Sequence, residues 1–262
     1  MPFYQDTYRI GSWIEQEYKF AGNYGKKGEK RQKKTKPTPE QMKLYNRISK
    51  AKKIRRTIGL NFGPSDYWVT LTYKKGERKD MAGVKHDVKK FKDRLRRPYK
   101  KAGAELKWMQ VIEIGKRGGI HIHMVLNRIE GTDLLVAKNW KHGHPYFKPL
   151  YEEGQYEQLS HYMAKLPPEE DAAHPDRKWE ERLEELADDK YSYSTSRNLV
   201  RPEPDERKVY TRRTMERAIK EGPKPTPGHY IDKDSIRIGV NQITGWSYMY
   251  YTELPVSTGR RE

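Results

Sequence analysis

The stretch Gly118-Gly119-Ile120-His121-Ile122-His123-Met124-Val125-Leu126 alternates with a period of two, which suits a strand and not a helix. Ile120, Ile122 and Met124 take one parity, and His121 and His123 take the other. Successive side chains of a strand point to opposite faces, so both imidazoles stand side by side while the aliphatics fill a core behind them. A second strand-like run, Trp108–Ile114, precedes it, and Gly115-Lys116-Arg117-Gly118 reads as the turn between the two. A hairpin centred near Arg117 sets Glu113 opposite His121 and diagonal to His123. Two imidazoles and a carboxylate are then expected to converge on one point, as a candidate divalent-metal site on a sheet surface. A His-x-His pair alone is weak evidence, and it is the matching parity of Glu113 that strengthens it. His142-Gly143-His144-Pro145 repeats the spacing, but glycine and proline make that segment a turn in which nothing fixes both rings to one face.

Charge narrows the partners. The 262 residues carry 54 Lys/Arg against 36 Asp/Glu, a net +18. Such an excess predicts a polyanion, with nucleic acid the leading candidate. Nineteen tyrosines and six tryptophans accompany it, as stacking on bases requires, although most of them are expected in the core. With no cysteine there is neither a disulfide nor a thiolate zinc site. No apolar run reaches membrane-spanning length and the first residues lack signal-peptide character, so a cytoplasmic protein is expected.

The rest of the chain is read around the hairpin. Residues 1–25 suggest short strands. From Lys26 to Arg56 there are 14 Lys/Arg against two Glu. Thr38-Pro39-Glu40-Gln41 is a capping box opening a helix with Leu44, Ile48, Ala51 and Ile54 inward and a basic outer face. Lys33, Lys34, Lys52, Lys53, Arg55 and Arg56 are candidate DNA contacts there, because crowded like charges are relieved by phosphates. Tyr67–Tyr73 is a β-branched, aromatic strand. A helix over about 80–101 has Val84, Val88, Phe91 and Leu95 inward and Arg94, Arg96 and Arg97 as further DNA contacts. A short helix is expected over 131–140, an extended segment over 144–151 and a helix over 155–166. Glu169–Asp189 carries ten acidic residues against three basic, about a helix expected over His174–Ala187; it reads as an inserted solvated helix, with DNA mimicry or a partner surface as the alternative. Tyr191–Leu199 is strand-like and brings Arg197 and Asn198. Residues 209–220 suggest a helix and 229–254 suggest strands. The order β-α-β-β-α-β around the hairpin suggests an α+β fold, a ferredoxin-like antiparallel sheet backed by helices.

Tyr162-Met163-Ala164-Lys165 lies on the helix after the hairpin, and residues three apart share a helix face. A core tyrosine with a snorkelling lysine would look the same. Taken together, Thr70–Tyr73, Ile120–His123 and Tyr162–Lys165 resemble, in this order, the motifs of the HUH-superfamily endonucleases. Specifically, they resemble the single-tyrosine rolling-circle replication initiators (Rep proteins) of bacterial plasmids, phages and integrative elements. Thr38–Gln41, Asn61-Phe62, Trp140, Ser196–Leu199 and the region of Thr244-Gly245-Trp246 resemble one Gram-positive subgroup. The likeness covers most of the chain, the acidic insert least.

The resemblance implies a five-stranded antiparallel sheet with the histidines on a central strand. Glu113, His121 and His123 would hold Mn²⁺ or Mg²⁺. Tyr162 would be the nucleophile that nicks and rejoins single-stranded DNA through a 5′-phosphotyrosine, with Lys165 beside it. It implies a core over 61–202 with the insert at about 168–189, a basic N-terminal extension over 1–60 and a C-terminal extension over 203–262 packing on the core. Gly-x-x-x-x-Gly-Lys-Ser/Thr is absent, so a host helicase and polymerase would act with single-stranded or hairpin origin DNA. Tyr156 is six residues from Tyr162, on another helix face, which favours a one-tyrosine scheme. A relaxase- or transposase-like strand transferase, a non-catalytic single-stranded-DNA-binding protein and a small-substrate metal hydrolase remain as alternatives.

Overall fold

A computed structural model describes residues 3–20, 38–115, 117–151, 156–166, 190–241 and 245–256. Lys33, Lys34 and the acidic insert lie outside them. The chain divides into two compact units, one of residues 47–200 and one of residues 1–46 with 201–262. Residues 1–46 and 201–262 thus form one unit, while residues 47–60 of the expected N-terminal extension fall in the central one.

The central unit follows the hairpin. Strands β3 (Tyr67–Thr72), β4 (Trp108–Ile114), β5 (Ile120–Leu126), β6 (Pro145–Pro149) and β7 (Tyr191–Thr195) form an antiparallel sheet in the order β6-β3-β5-β4-β7. The first four strands in sequence therefore stand in the ferredoxin-like order 4-1-3-2, with β7 added beside β4, and the histidine strand β5 is central. Ile114 faces Ile120, Glu113 faces His121 and Val111 faces His123, which centres the hairpin on Arg117 as the alternation requires. Gly118 turns the corner at φ 74°, where a side chain would be strained.

One sheet face is covered by α2 (Met81–Lys101) and α3 (Thr132–Asn139). Asp80 caps α2 by accepting from the Gly83 amide. Its stripe Val84, Val88, Phe91, Leu95 and Tyr99 packs on Val69, Leu71, Trp108, Ile112, Ile122 and Met124. This is the apolar parity of each strand, so the other parity, with both histidines and Glu113, faces away from that core. The helix expected over 155–166 is shorter: α4 spans Glu157–Ala164, and Lys165 ends it in the left-handed conformation at φ 57°. The strand expected over 191–199 stops at Thr195. Beyond it, Ser196 accepts from the Trp108 amide and Asn198 donates to Glu105 and the Leu106 carbonyl, so these side chains hold a turn.

The helix α1 (Pro39–Asn61) begins where the capping box places it. Ala51 and Ile54 are buried as expected, but Ile48 is exposed. Arg55 and Arg56 retain only 5% and 6% of their surface, which corrects their placement on a basic outer face. Residues 54–58 are all buried, so the helix has no free face at that level.

The terminal unit is a second antiparallel sheet, β8-β1-β2-β10-β9, of β1 (Phe3–Ile10), β2 (Trp13–Phe20), β8 (Glu206–Tyr210), β9 (His229–Val240) and β10 (Ser247–Pro255). The helix expected over 209–220 starts later. Val209 pairs with Tyr4 in the sheet, and α5 (Arg212–Glu221) follows Thr211, whose hydroxyl caps it by accepting from the Thr214 amide.

Candidate active site on the central sheet

Strand register lines up the polar parity in rows. One row runs Thr72, His121, Glu113, Tyr191 across β3, β5, β4 and β7; the next runs Tyr146, Thr70, His123, Val111, Tyr193. Glu113 is therefore the direct cross-strand neighbour of His121 and the diagonal neighbour of His123, where side chains interact. The imidazoles are parallel, with centroids 6.1 Å apart. Trp68 continues the stack, its ring 5.4 Å from that of His123. Thr70 Oγ1 lies 3.0 Å from His123 Nδ1, which fixes the ring and leaves Nε2 directed elsewhere. Burial pushes His123 down to about 4, aided by His121 and Lys165 and opposed by Glu113. It is therefore a neutral imidazole near pH 7, the form that ligates metals.

α4 carries Tyr162 over this surface. The phenol ring meets His123 edge-on at 5.2 Å and Trp68 at 6.0 Å. The residue is 38% exposed. Burial, then the charge and hydrogen-bonding contact of Glu113, push the Tyr162 hydroxyl well above the ordinary phenol range. Lys165 does not share a helix face with Tyr162 as the spacing implies, because the helix has ended. Its left-handed backbone instead swings Nζ to 4.5 Å from the Tyr162 ring centroid and 2.5 Å from Glu113 Oε1. Tyr156 is buried before the start of α4, so it offers no second nucleophile at this surface.

The three candidate ligands share one face, yet they are not gathered into a closed set. Among the described residues no three His, Asp or Glu side chains are gathered around one point. The reason is local: the Glu113 carboxylate is turned onto the Lys165 ammonium. The donor chemistry still suits a divalent cation, with a neutral imidazole, its stacked partner and a carboxylate. Glu113 Oε1 is buried and, despite the close ammonium, makes no aligned hydrogen bond, as an oxygen suited to a metal would.

Of the expected DNA contacts, Lys53, Arg94, Arg96, Arg97 and Arg197 are exposed, and Lys52 is partly so. Asn198 is engaged in the turn after β7, and Arg55 and Arg56 are buried. Sequence reasoning did not single out Tyr191, Arg47 or Lys50, which meet beside α4. Lys50 Nζ lies over the Tyr191 and Tyr193 rings at 5.0 and 4.6 Å. Arg47 donates to the Lys165 carbonyl at 3.2 Å. The alternating tyrosines of β7 were the available signal, since they place both rings on the histidine face.

Fold and site define an α+β protein in which a tyrosine of α4 meets a carboxylate and two imidazoles on the face of a ferredoxin-like sheet opposite α2 and α3. The family model of the replication-associated protein ORF2/G2P matches residues 66–167. That span runs from the turn before β3 past Lys165, and it fits a replication initiator. No curated protein and no solved structure shows a significant match to the chain.

Proposed function

We propose that this protein is a single-tyrosine HUH-type Rep endonuclease that nicks and rejoins single-stranded DNA at a replication origin, with Tyr162 as nucleophile. The observation that carries the reading is the partly exposed Tyr162 phenol seated against His123 and Glu113. Tyr162 Oη attacks the scissile phosphorus, the bond from phosphorus to the 3′-oxygen breaks, and a 5′-phosphotyrosine and a free 3′-hydroxyl result. The phenol gives up one proton and the departing oxygen takes one, so the exchange is balanced. The phosphodiester bond energy is retained, and attack by a 3′-hydroxyl on the phosphotyrosine reseals the strand.

Glu113, His121 and His123 would hold Mn²⁺ or Mg²⁺, whose charge polarises the phosphate. A neutral phenol is a poor nucleophile, and the carboxylate beside it makes ionisation harder still. Lys165, with Nζ 4.5 Å from the ring, would supply the positive charge that offsets this beside an incoming phosphate. The exposed Arg94, Arg96, Arg97 and Arg197 supply sequence-independent affinity for the backbone. Unwinding and synthesis fall to host helicase and polymerase.

The test is incubation with an origin-type hairpin oligonucleotide and Mn²⁺, followed by a denaturing gel. A protein–DNA adduct lost in Tyr162→Phe supports the reading. No adduct, or one that persists in Tyr162→Phe, rejects this nucleophile; cleavage without an adduct points to a hydrolase.

A further inference from the structure

We infer that Tyr191 is a positioning residue that sets the orientation of the nucleophile helix; the inference rests on Tyr162 being the nucleophile. α4 has eight residues and is bounded by Tyr156 and Lys165, both non-glycine residues at positive φ. A helix this short does not hold its own geometry in water. Whether Tyr162 faces His123 therefore depends on what ties the helix down.

Its C-terminal carbonyls show the ties. Those of His161 and Tyr162 accept from the Leu166 and Lys165 amides at 3.0 and 3.1 Å. The next carbonyl, that of Met163, accepts from the Tyr191 hydroxyl at 2.5 Å. It belongs to the last turn, where helix carbonyls lack an intrahelical partner, one residue beyond the nucleophile. Tyr191 is itself fixed. Its backbone pairs with Glu113, the Lys190 carbonyl accepts from the Ile114 amide, and Lys50 lies over its ring with Nζ 3.5 Å from its hydroxyl. One side chain thus joins the Thr72–His121–Glu113 row to the turn that carries Tyr162. Displacement of a reacting group by about 1 Å costs on the order of a hundredfold in rate.

Tyr191→Phe keeps the ring and removes the bond to Met163. With the full chain, single-turnover adduct formation on saturating hairpin oligonucleotide and Mn²⁺ is expected to fall about tenfold or more. DNA affinity and melting temperature should hold, and amide exchange should quicken over 157–166 but not over β4 and β5. An unchanged rate, or parallel losses of rate, affinity and melting temperature, overturns the positioning role. Wild-type protein that forms no adduct removes the nucleophile reading itself; wild-type adduct with an indistinguishable Tyr191→Phe removes the positioning role alone.

Discussion

Lys165 Nζ lies 2.5 Å from Glu113 Oε1, so the carboxylate proposed as a metal ligand is already held by a cation of the chain. An ammonium and a divalent ion compete for that oxygen. Both side chains are about a quarter exposed, 24% and 23%, so their pairing is screened and worth about 1 kcal/mol. Lys165→Met should therefore bind Mn²⁺ about fivefold more tightly by calorimetry, although it lowers adduct formation. Equal or weaker binding would show that Lys165 does not compete for Glu113.

Gly143 is required for a reason unrelated to backbone freedom. A Cβ there would sit 2.1 Å from the Thr72 carbonyl oxygen and 2.8 Å from its carbon, which are backbone atoms that cannot swing aside. The segment crosses the end of β3 here, with the Thr72 amide donating to His144 and the Lys74 amide to His142. Gly143→Ala should cost about 2–3 kcal/mol as an overpacked contact. Gly76→Ala, at φ +87° with open space around it, should cost only about 1–2 kcal/mol. Urea unfolding of the two variants decides the order, and the reverse ranking would rule out the close approach.

The hairpin was legible because its evidence is local: a period-two pattern on both strands and a turn whose centre fixes the register from Glu113 to His121. The α2 stripe was legible for the same reason, at helical period. The terminal sheet was not. Asp6 pairs with Arg207, 201 residues away, and no local pattern specifies such a partner. Buried Asp6, Glu15 and Glu253 also hide the apolar parity that marks a half-buried strand. Tyr191 escaped because its partner is a backbone carbonyl, which carries no sequence signature. The Lys165 contact formed for a different reason than the three-residue spacing gave, through a left-handed residue that spacing cannot show.

Lys92 should make stability rise with pH. It is buried on α2 with its ammonium 3.3 Å from the Trp108 ring centroid and 3.1 Å from Gln110 Oε1. Burial, then the charge of Arg96, push it down to about 7 from 10.5, against the pull of Asp93. Between those values the unfolded chain binds a proton that the folded chain does not, so unfolding becomes harder as pH increases. The contribution is at most about 1.4 kcal/mol per pH unit. Urea unfolding at about pH 7, 8 and 9 should show the wild type gaining on Lys92→Met. A constant difference between the two would mean that Lys92 stays charged when folded.

Asp6 should do the opposite at acid pH. Its fully buried carboxylate accepts from Arg207 Nε at 2.6 Å and Nη2 at 2.9 Å, and Lys19 Nζ lies 2.9 Å from Oδ2. Burial alone would raise its pKa, yet the bonds and charges of Arg207 and Lys19 hold it below the ordinary 3.8. A carboxyl depressed on folding stabilises fully above its unfolded value, and that contribution disappears as pH falls through the lower folded value. Asp6→Asn keeps the shape and removes the charge that these cations face, at a cost of about 3 kcal/mol near neutrality for a broken buried pair. The deficit should narrow steadily from about pH 4 downward, because protonation then removes the same charge from the wild type. Thermal unfolding of both proteins across that range measures the gap. A deficit that stays constant into acid would assign the loss to packing and not to the carboxylate charge.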